Sequence, residues 1–149
     1  MLSVQQTAVI EAPLELVMQT LNQVETIPNW ATVKGVIDNV QGQGLGMSYQ
    51  WHYEVQGVTF KGRSEVVELS HDTLITKTTG DVDSLWTITL TAISEKSTAL
   101  QVVVEYNPPN KFVEVLVDQI SEQYATPEVA GENLQRFKQY VEAKVGQAA

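Results

Sequence analysis

The sequence predicts an α+β fold in which a seven-stranded curved antiparallel sheet wraps around one long C-terminal helix, with two short helices after the first strand. Two observations support this prediction. Most of the chain before residue 107 alternates apolar and polar residues, as strands do, whereas residues 127–145 repeat apolar residues with the period of a helix. Because that helix must bury its apolar stripe, a single sheet wrapped around it is the simplest arrangement.

The C-terminal helix is the element around which the predicted fold is organised. Thr126 can cap its first turn, Pro127 suits the first helical position, and Gly146 follows the predicted end. About 19 residues at 1.5 Å per residue span roughly 28 Å, the width of a small domain. The apolar stripe consists of Ala130, Leu134, Phe137, Val141 and Val145.

The strands are predicted from the alternation of residue types. Residues 3–11 form the first strand, and they precede a helix that opens at Pro13 and a short helical segment at 27–30. In the strand at 58–69 the alternation slips near Gly62, as the two adjacent apolar residues Val66 and Val67 show, and this slip predicts a β-bulge. The remaining strands are predicted over residues 33–40, 47–55, 73–79, 84–93 and 98–106.

A glycine cluster at residues 42–46 superficially suggests a phosphate-binding loop. Such a loop must open a helix, whose N-terminal amides hold the anion. Here an alternating strand follows, so we predict a hairpin loop instead. The next tight turn is predicted at Gln56-Gly57.

Composition and charge exclude several functions. The 149 residues are enough for one domain with a substantial core. The net charge of −9 disfavours nucleic acid and anionic membranes as partners. The lack of cysteine excludes disulfides, thiolate catalysis and cysteine metal sites. No signal peptide and no membrane-spanning run of about 18 apolar residues is recognisable, so we expect a cytoplasmic protein without stable membrane insertion.

Ionisable residues that could carry chemistry have simpler explanations. His52 and Glu54 share one face of a strand and could act as a base and its orienting partner. The polar face of an antiparallel sheet is normally solvated, however. A predicted turn accounts for the His-Asp pair at 71–72, and another accounts for the Asp-Val-Asp stretch at 81–83. The two carboxylates of the second stretch could also hold a divalent ion. We predict no catalytic residue, no metal site and no cofactor.

An aromatic stripe at Tyr49, Trp51 and Tyr53 is the strongest local signal for binding. These side chains could line a cavity and orient the polar end of a ligand through hydroxyl and indole groups. They could equally be ordinary core packing, or form a solvent-facing aromatic ladder on the outer face of the sheet. The sequence leaves these interpretations open.

Four local patterns are similar to those of a known family. Residues 27–30 (Ile-Pro-Asn-Trp) resemble its Tyr-Pro-x-Trp element, with Ile27 where an aromatic residue is usual. Gly80 precedes a Trp-x-(apolar)-x-Leu strand, residues 98–108 end in Tyr-x-Pro, and residues 132–137 match a Glu-Asn-Leu-(polar)-(basic)-(apolar) helix. In this order they resemble the polyketide cyclase/dehydrase and lipid-transport branch of the SRPBCC (Bet v 1/START-like) superfamily.

The resemblance implies a helix-grip fold with an internal cavity for an apolar ligand. The leading hypothesis is binding, transport or sensing of a hydrophobic or aromatic small molecule, lipid or polyketide-like. A cyclase/dehydratase-type enzyme and an interaction subunit with a vestigial cavity are the alternatives. A helix predicted at 110–125 could pack over the core or act as a lid. The sequence does not predict the oligomeric state. The predicted ligand-binding residues are Trp30, Tyr49, Trp51, Tyr53, Phe60, Trp86, Ile88, Tyr106, Leu116, Leu134, Phe137 and Val141.

Overall fold

The computed structural model describes residues 2–30, 35–55, 58–81, 83–107 and 127–148. Within these ranges the chain forms one sheet and three α-helices. The strands are β1 (Leu2–Ile10), β2 (Gly35–Gln41), β3 (Ser48–Val55), β4 (Val58–Leu69), β5 (Thr73–Gly80), β6 (Asp83–Ser94) and β7 (Ser97–Asn107). The helices are α1 (Leu14–Asn22), α2 (Ile27–Trp30), preceded by a 3₁₀ turn at Val24–Thr26, and α3 (Pro127–Ala148).

All seven strands belong to one antiparallel sheet in the order β1-β7-β6-β5-β4-β3-β2. Each of the strands from β2 to β7 pairs with its neighbour in the chain, while β1 pairs along its whole length with β7. Strands β1 and β2 therefore lie at opposite edges, and α1 and α2 connect them. The predicted α+β fold, with its seven-stranded antiparallel sheet, two short helices and long C-terminal helix, is confirmed.

The C-terminal helix α3 packs chiefly against β1, with further contacts to α1 and α2. Leu134, Phe137 and Val141 are buried on one side of it, as the predicted stripe requires. Glu142 fastens the helix to the end of β1, because its carboxylate accepts the Glu11 backbone N–H at 2.8 Å. The sequence predicts that the helix ends just before Gly146, but in the structure it continues to Ala148. One glycine costs a helix only about 1 kcal/mol relative to alanine, so the helix can run through Gly146.

Two features of the sheet depend on local sequence. Gly42, Gly44 and Gly46 all have positive φ, and they form the hairpin loop predicted between β2 and β3. The predicted bulge also exists, but it lies at residue 67 rather than near Gly62. Val66 is buried and Val67 is exposed, so the extra residue lets both valines keep β-structure while only one enters the core. The turn at residues 56–57 lies outside the described residues.

Candidate ligand-binding site

A row of hydroxyl side chains crosses five strands on one face of the sheet. Its members are direct cross-strand partners, one from each strand from β3 to β7: Tyr49, Ser64, Thr78, Ser84 and Tyr106. Directly opposite residues point to the same side of a sheet. Tyr49 belongs to the buried core together with residues of α1 and α3, so this hydroxyl row lies on the inner face of the sheet.

Two tryptophan side chains donate hydrogen bonds into the hydroxyl row. Trp51 Nε1 donates to Ser64 Oγ at 3.2 Å, and Trp86 Nε1 donates to Ser84 Oγ at 3.1 Å. Ser64 Oγ also lies 2.7 Å from Thr78 Oγ1, in a buried hydroxyl–hydroxyl hydrogen bond. These bonds hold both indoles on the inner face and satisfy their only polar group.

Gly62 makes the position of Trp51 possible. A Cβ atom at residue 62 would lie 2.2 Å from Trp51 Cζ2 and 2.8 Å from the Thr79 carbonyl oxygen. The indole therefore lies against the backbone of β4, where only glycine leaves room for it. The alternation pattern around Gly62 predicts a bulge and not this contact, although a glycine inside a strand is also a recognised sign of close backbone approach.

Burial controls the ionisation of Tyr49. Loss of solvent raises the pKa of its phenol above the ordinary value of 10.0, and a hydrogen bond with Ser64 offsets only part of that increase. The side chain is 8% exposed. At neutral pH Tyr49 is thus an un-ionised phenol within the core, able to donate one proton to a hydrogen bond.

The predicted binding residues form two groups. The first, on the inner face of β3 to β7, includes buried Phe60 and the partly exposed Trp51, Trp86, Ile88 and Tyr106. For Tyr53 the structure describes the backbone alone, which pairs with Phe60. The second group joins α2 to α3: Trp30 and Phe137 meet edge to face, with ring centroids 5.0 Å apart, beside buried Leu134 and Val141. Leu116 and the predicted helix at 110–125 lie outside the described residues.

The candidate acid–base and metal residues occupy turns and the other face of the sheet. His52 has the opposite strand parity to Tyr49 and Trp51. Asp72 accepts hydrogen bonds from Ser70 and Thr73 within its turn, and the Ser70 bond contributes most to lowering the pKa of Asp72. Asp81 accepts the backbone N–H group of Lys61, and Asp83 accepts that of Gly80. Among the described residues, no three His, Asp or Glu side chains come together as a metal site.

The fold and this inner face define the class of protein as helix-grip, the architecture of START and Bet v 1-like proteins. The chain belongs to the polyketide cyclase/dehydrase and lipid transport family, whose model matches residues 1–142. A comparison with curated protein sequences gives no match. No helix in the described part of the chain has the length and apolar character needed to cross a bilayer.

Solved structures with this fold are similar over nearly their whole length. TTHA0849 from Thermus thermophilus is 15% identical, with a TM-score of 0.74, over 96% of this chain and 99% of that one. The Zhui aromatase/cyclase from Streptomyces sp. R1128 is 15% identical, with a TM-score of 0.72, over 97% of this chain and 95% of that one. A START superfamily protein from Mycobacterium smegmatis is 19% identical, with a TM-score of 0.63, over 99% of both chains. At these identities the similarity establishes the fold.

Proposed function

We propose that the protein binds a hydrophobic or aromatic small molecule between the sheet and the C-terminal helix, and that it carries or senses this molecule. The observation that supports this most is the pair of partly exposed indoles, Trp51 and Trp86, on the inner face. Their N–H groups are already bonded to Ser64 and Ser84. The exposed part of each indole is flat apolar ring surface, which suits a flat apolar partner.

The position of α3 indicates where such a ligand would lie. The helix packs chiefly against β1 and against α1 and α2, whereas the two indoles stand on β3 and β6. We therefore place the ligand over β3 to β6, with the first group of predicted residues as its wall. Buried Phe137 and Val141, with the partly buried Trp30, would close the end of the site nearest β1. Leu116 stays a predicted contact.

A cyclase or dehydratase that uses the same cavity is the second candidate, because one structure with this fold is an aromatase/cyclase. Acid–base catalysis needs a group whose pKa lies near the working pH. The inner-face side chains described here on β3 to β7 are apolar, indole or hydroxyl groups, and no carboxylate or imidazole is among them. Binding therefore accounts for this set of residues more directly than catalysis does.

Extraction of small molecules from protein purified without denaturation tests the proposal. Mass spectrometry should detect an apolar compound in the extract of the wild type and much less of it in the extract of Trp86→Ala. The matched control is Ile93→Ala, on the same strand but 58% exposed, which should retain the wild-type amount. The proposal would fail if no apolar compound co-purified and no lipid, terpenoid or aromatic polyketide-like compound raised the melting temperature. Conversion of a polyketide-like compound would favour the enzyme.

A further inference from the structure

The side chains of Ser84 and Trp86 form a hydrogen-bonded pair on the inner face of β6. The indole Nε1 of Trp86 donates to Ser84 Oγ at a distance of 3.1 Å. An indole N–H can only donate, so Ser84 must be the acceptor and its own proton is not used in this bond.

The proton of Ser84 is not taken by the hydroxyl beside it. The cross-strand partners of Ser84 are Thr78 on β5 and Tyr106 on β7. Thr78 Oγ1 is hydrogen-bonded to Ser64 Oγ, at 2.7 Å, rather than to Ser84. Within the described ranges, the bond from Trp86 is the only hydrogen bond of the Ser84 side chain. No described group therefore accepts its proton.

The exposure of the hydroxyl row increases from β4 towards β7. Ser64 and Thr78 are 3% and 7% exposed, so a ligand would reach them only by displacing other side chains. Ser84 and Tyr106 are partly exposed on the same inner face. The accessible polar end of the row thus lies on β6 and β7, beside Trp86.

The bond from Trp86 also determines how Ser84 can bind a ligand. Successive hydrogen bonds polarise one another, so a hydroxyl oxygen that accepts a proton becomes a stronger donor and a weaker acceptor. The indole N–H lies in the ring plane, which puts Ser84 Oγ beside the Nε1 edge of the ring rather than over its face. A ligand that stacks on Trp86 would meet the Ser84 proton with an oxygen that projects from the edge of its flat body.

The surroundings of Ser84 carry no charge. The nearest inner-face positions described on β5, β6 and β7 are Thr76, Thr78, Gly80, Trp86, Val104 and Tyr106. A ligand carboxylate would lose its hydration there without gaining a cation from these residues. The net charge of −9 also opposes anions. These surroundings favour an uncharged acceptor oxygen.

We propose that Ser84, held by Trp86, is the specificity-determining residue of the site and donates its proton to the carbonyl oxygen of a neutral, flat apolar ligand. The ligand body would lie against the indoles of Trp86 and Trp51. This inference rests on the proposed binding function and narrows it to a class of ligand. Flat ketones would bind more tightly than hydrocarbons of the same shape, and carboxylates would bind least tightly.

Three naphthalenes that share one flat body test the class of ligand: 2-ethylnaphthalene, 2-acetylnaphthalene and 2-naphthoate. Their dissociation constants for the wild-type protein are measured by calorimetry. We expect 2-acetylnaphthalene to bind about five- to tenfold more tightly than 2-ethylnaphthalene, the gain of one net hydrogen bond. We expect 2-naphthoate to bind at least about tenfold more weakly than 2-ethylnaphthalene, because its charge loses hydration without gaining a cation.

Substitutions then identify the donor. Ser84→Ala should abolish the preference for the ketone, leaving the affinities of the two neutral compounds within about twofold of each other. Because this change also frees the N–H of Trp86, it is repeated in Trp86→Phe, which keeps a flat ring without a donor. Trp86→Phe alone should still prefer the ketone by at least about threefold, since Ser84 keeps its proton. The double variant should show no preference.

Thr91→Ala is the matched control, because it removes a hydroxyl from an exposed residue on the outer face of the same strand. It should alter the affinity for neither neutral compound. Thermal melts establish that each variant is folded. The carbonyl stretch of bound 2-acetylnaphthalene should lie at lower frequency in the wild type than in the double variant or in a hydrocarbon solvent.

The outcomes separate the two proposals. If 2-ethylnaphthalene binds but the ketone has no advantage, or if the advantage survives in the double variant, the role of Ser84 is wrong while the binding function stands. Loss of the advantage in Trp86→Phe would make the indole the donor, and its loss in Tyr106→Phe but not in Ser84→Ala would make the phenol the donor. Either result overturns the assignment.

Tightest binding of 2-naphthoate would contradict the neutral class of ligand. Should Ser84→Ala not fold, an unshifted carbonyl frequency in the wild type would contradict the role of Ser84. If none of the three compounds binds, both proposals fail.

Discussion

The indole of Trp30 and the ring of Phe137 meet edge to face, with centroids 5.0 Å apart and planes inclined by 68°. This contact joins the short helix α2 to the middle of the C-terminal helix. Phe137 is 2% exposed, and the buried Trp30 Nε1 has no hydrogen-bond partner in the described part of the chain. The junction is therefore held by ring packing rather than by polar contacts.

Phe137→Ala measures whether this junction is filled core or the border of a cavity. Since the ring is fully enclosed, we expect the free energy of unfolding to fall by about 3–5 kcal/mol in denaturant melts. Gln139→Ala, at an exposed position of the same helix, should change it by less than about 0.5 kcal/mol. A loss for Phe137→Ala clearly below about 3 kcal/mol would mean that an existing void already reaches this residue.

Gly62→Ala should disturb the binding face through Trp51. The added methyl group would lie 2.2 Å from the indole, so the ring must move and its bond to Ser64 must break. We expect a loss of about 1–3 kcal/mol in unfolding free energy, typical of overpacking. Gly131→Ala is the matched control, because its nearest neighbour would be the Gln6 side chain at 3.6 Å and alanine favours a helix. Equal behaviour of the two variants would show that Trp51 does not hold the position described.

Tyr49 should make the protein less stable at high pH. The ordinary pKa of a tyrosine, 10.0, applies to the unfolded chain, and the pKa of Tyr49 in the folded protein lies above it. At a pH between these two pKa values, the unfolded chain has released a proton that the folded chain retains. The stability due to the neutral phenol is present below pH 10 and decreases as the pH rises through that window. Unfolding free energies from about pH 8 to about pH 11.5 should thus fall less steeply for Tyr49→Phe than for the wild type. Parallel curves would contradict the buried-phenol assignment.

His52→Ala tests the assignment of this histidine to the outer face. Its neighbours across the sheet are Val36 and Lys61, and its strand parity differs from that of the binding face. Stability should change by no more than about 1 kcal/mol, and the affinity for 2-ethylnaphthalene should stay the same. Loss of binding or of any turnover, with the fold intact by circular dichroism, would bring the enzyme alternative forward.

The sequence was sufficient for the fold because the patterns that define it are local. Alternation along β3 to β7 and the stripe at Leu134, Phe137 and Val141 are visible within single segments. The hydroxyl row was not predictable, because it depends on the register between strands, which turn lengths and the bulge at residue 67 set together. The contact of Trp51 with Gly62 depends on the same register. Tyr49 was predicted as a binding residue, but its bond to Ser64 could not be.

The most direct measurement of the central claim is the affinity of 2-ethylnaphthalene for the wild type, Trp86→Ala and Ile93→Ala. Both substitutions lie on β6, one at an indole of the inner face and the other at a side chain that is 58% exposed. We expect wild-type binding, a roughly tenfold weaker affinity for Trp86→Ala from the loss of one aromatic contact, and no change for Ile93→Ala. Absence of binding to the wild type, or equal affinities for the wild type and Trp86→Ala, would contradict a ligand site on this face.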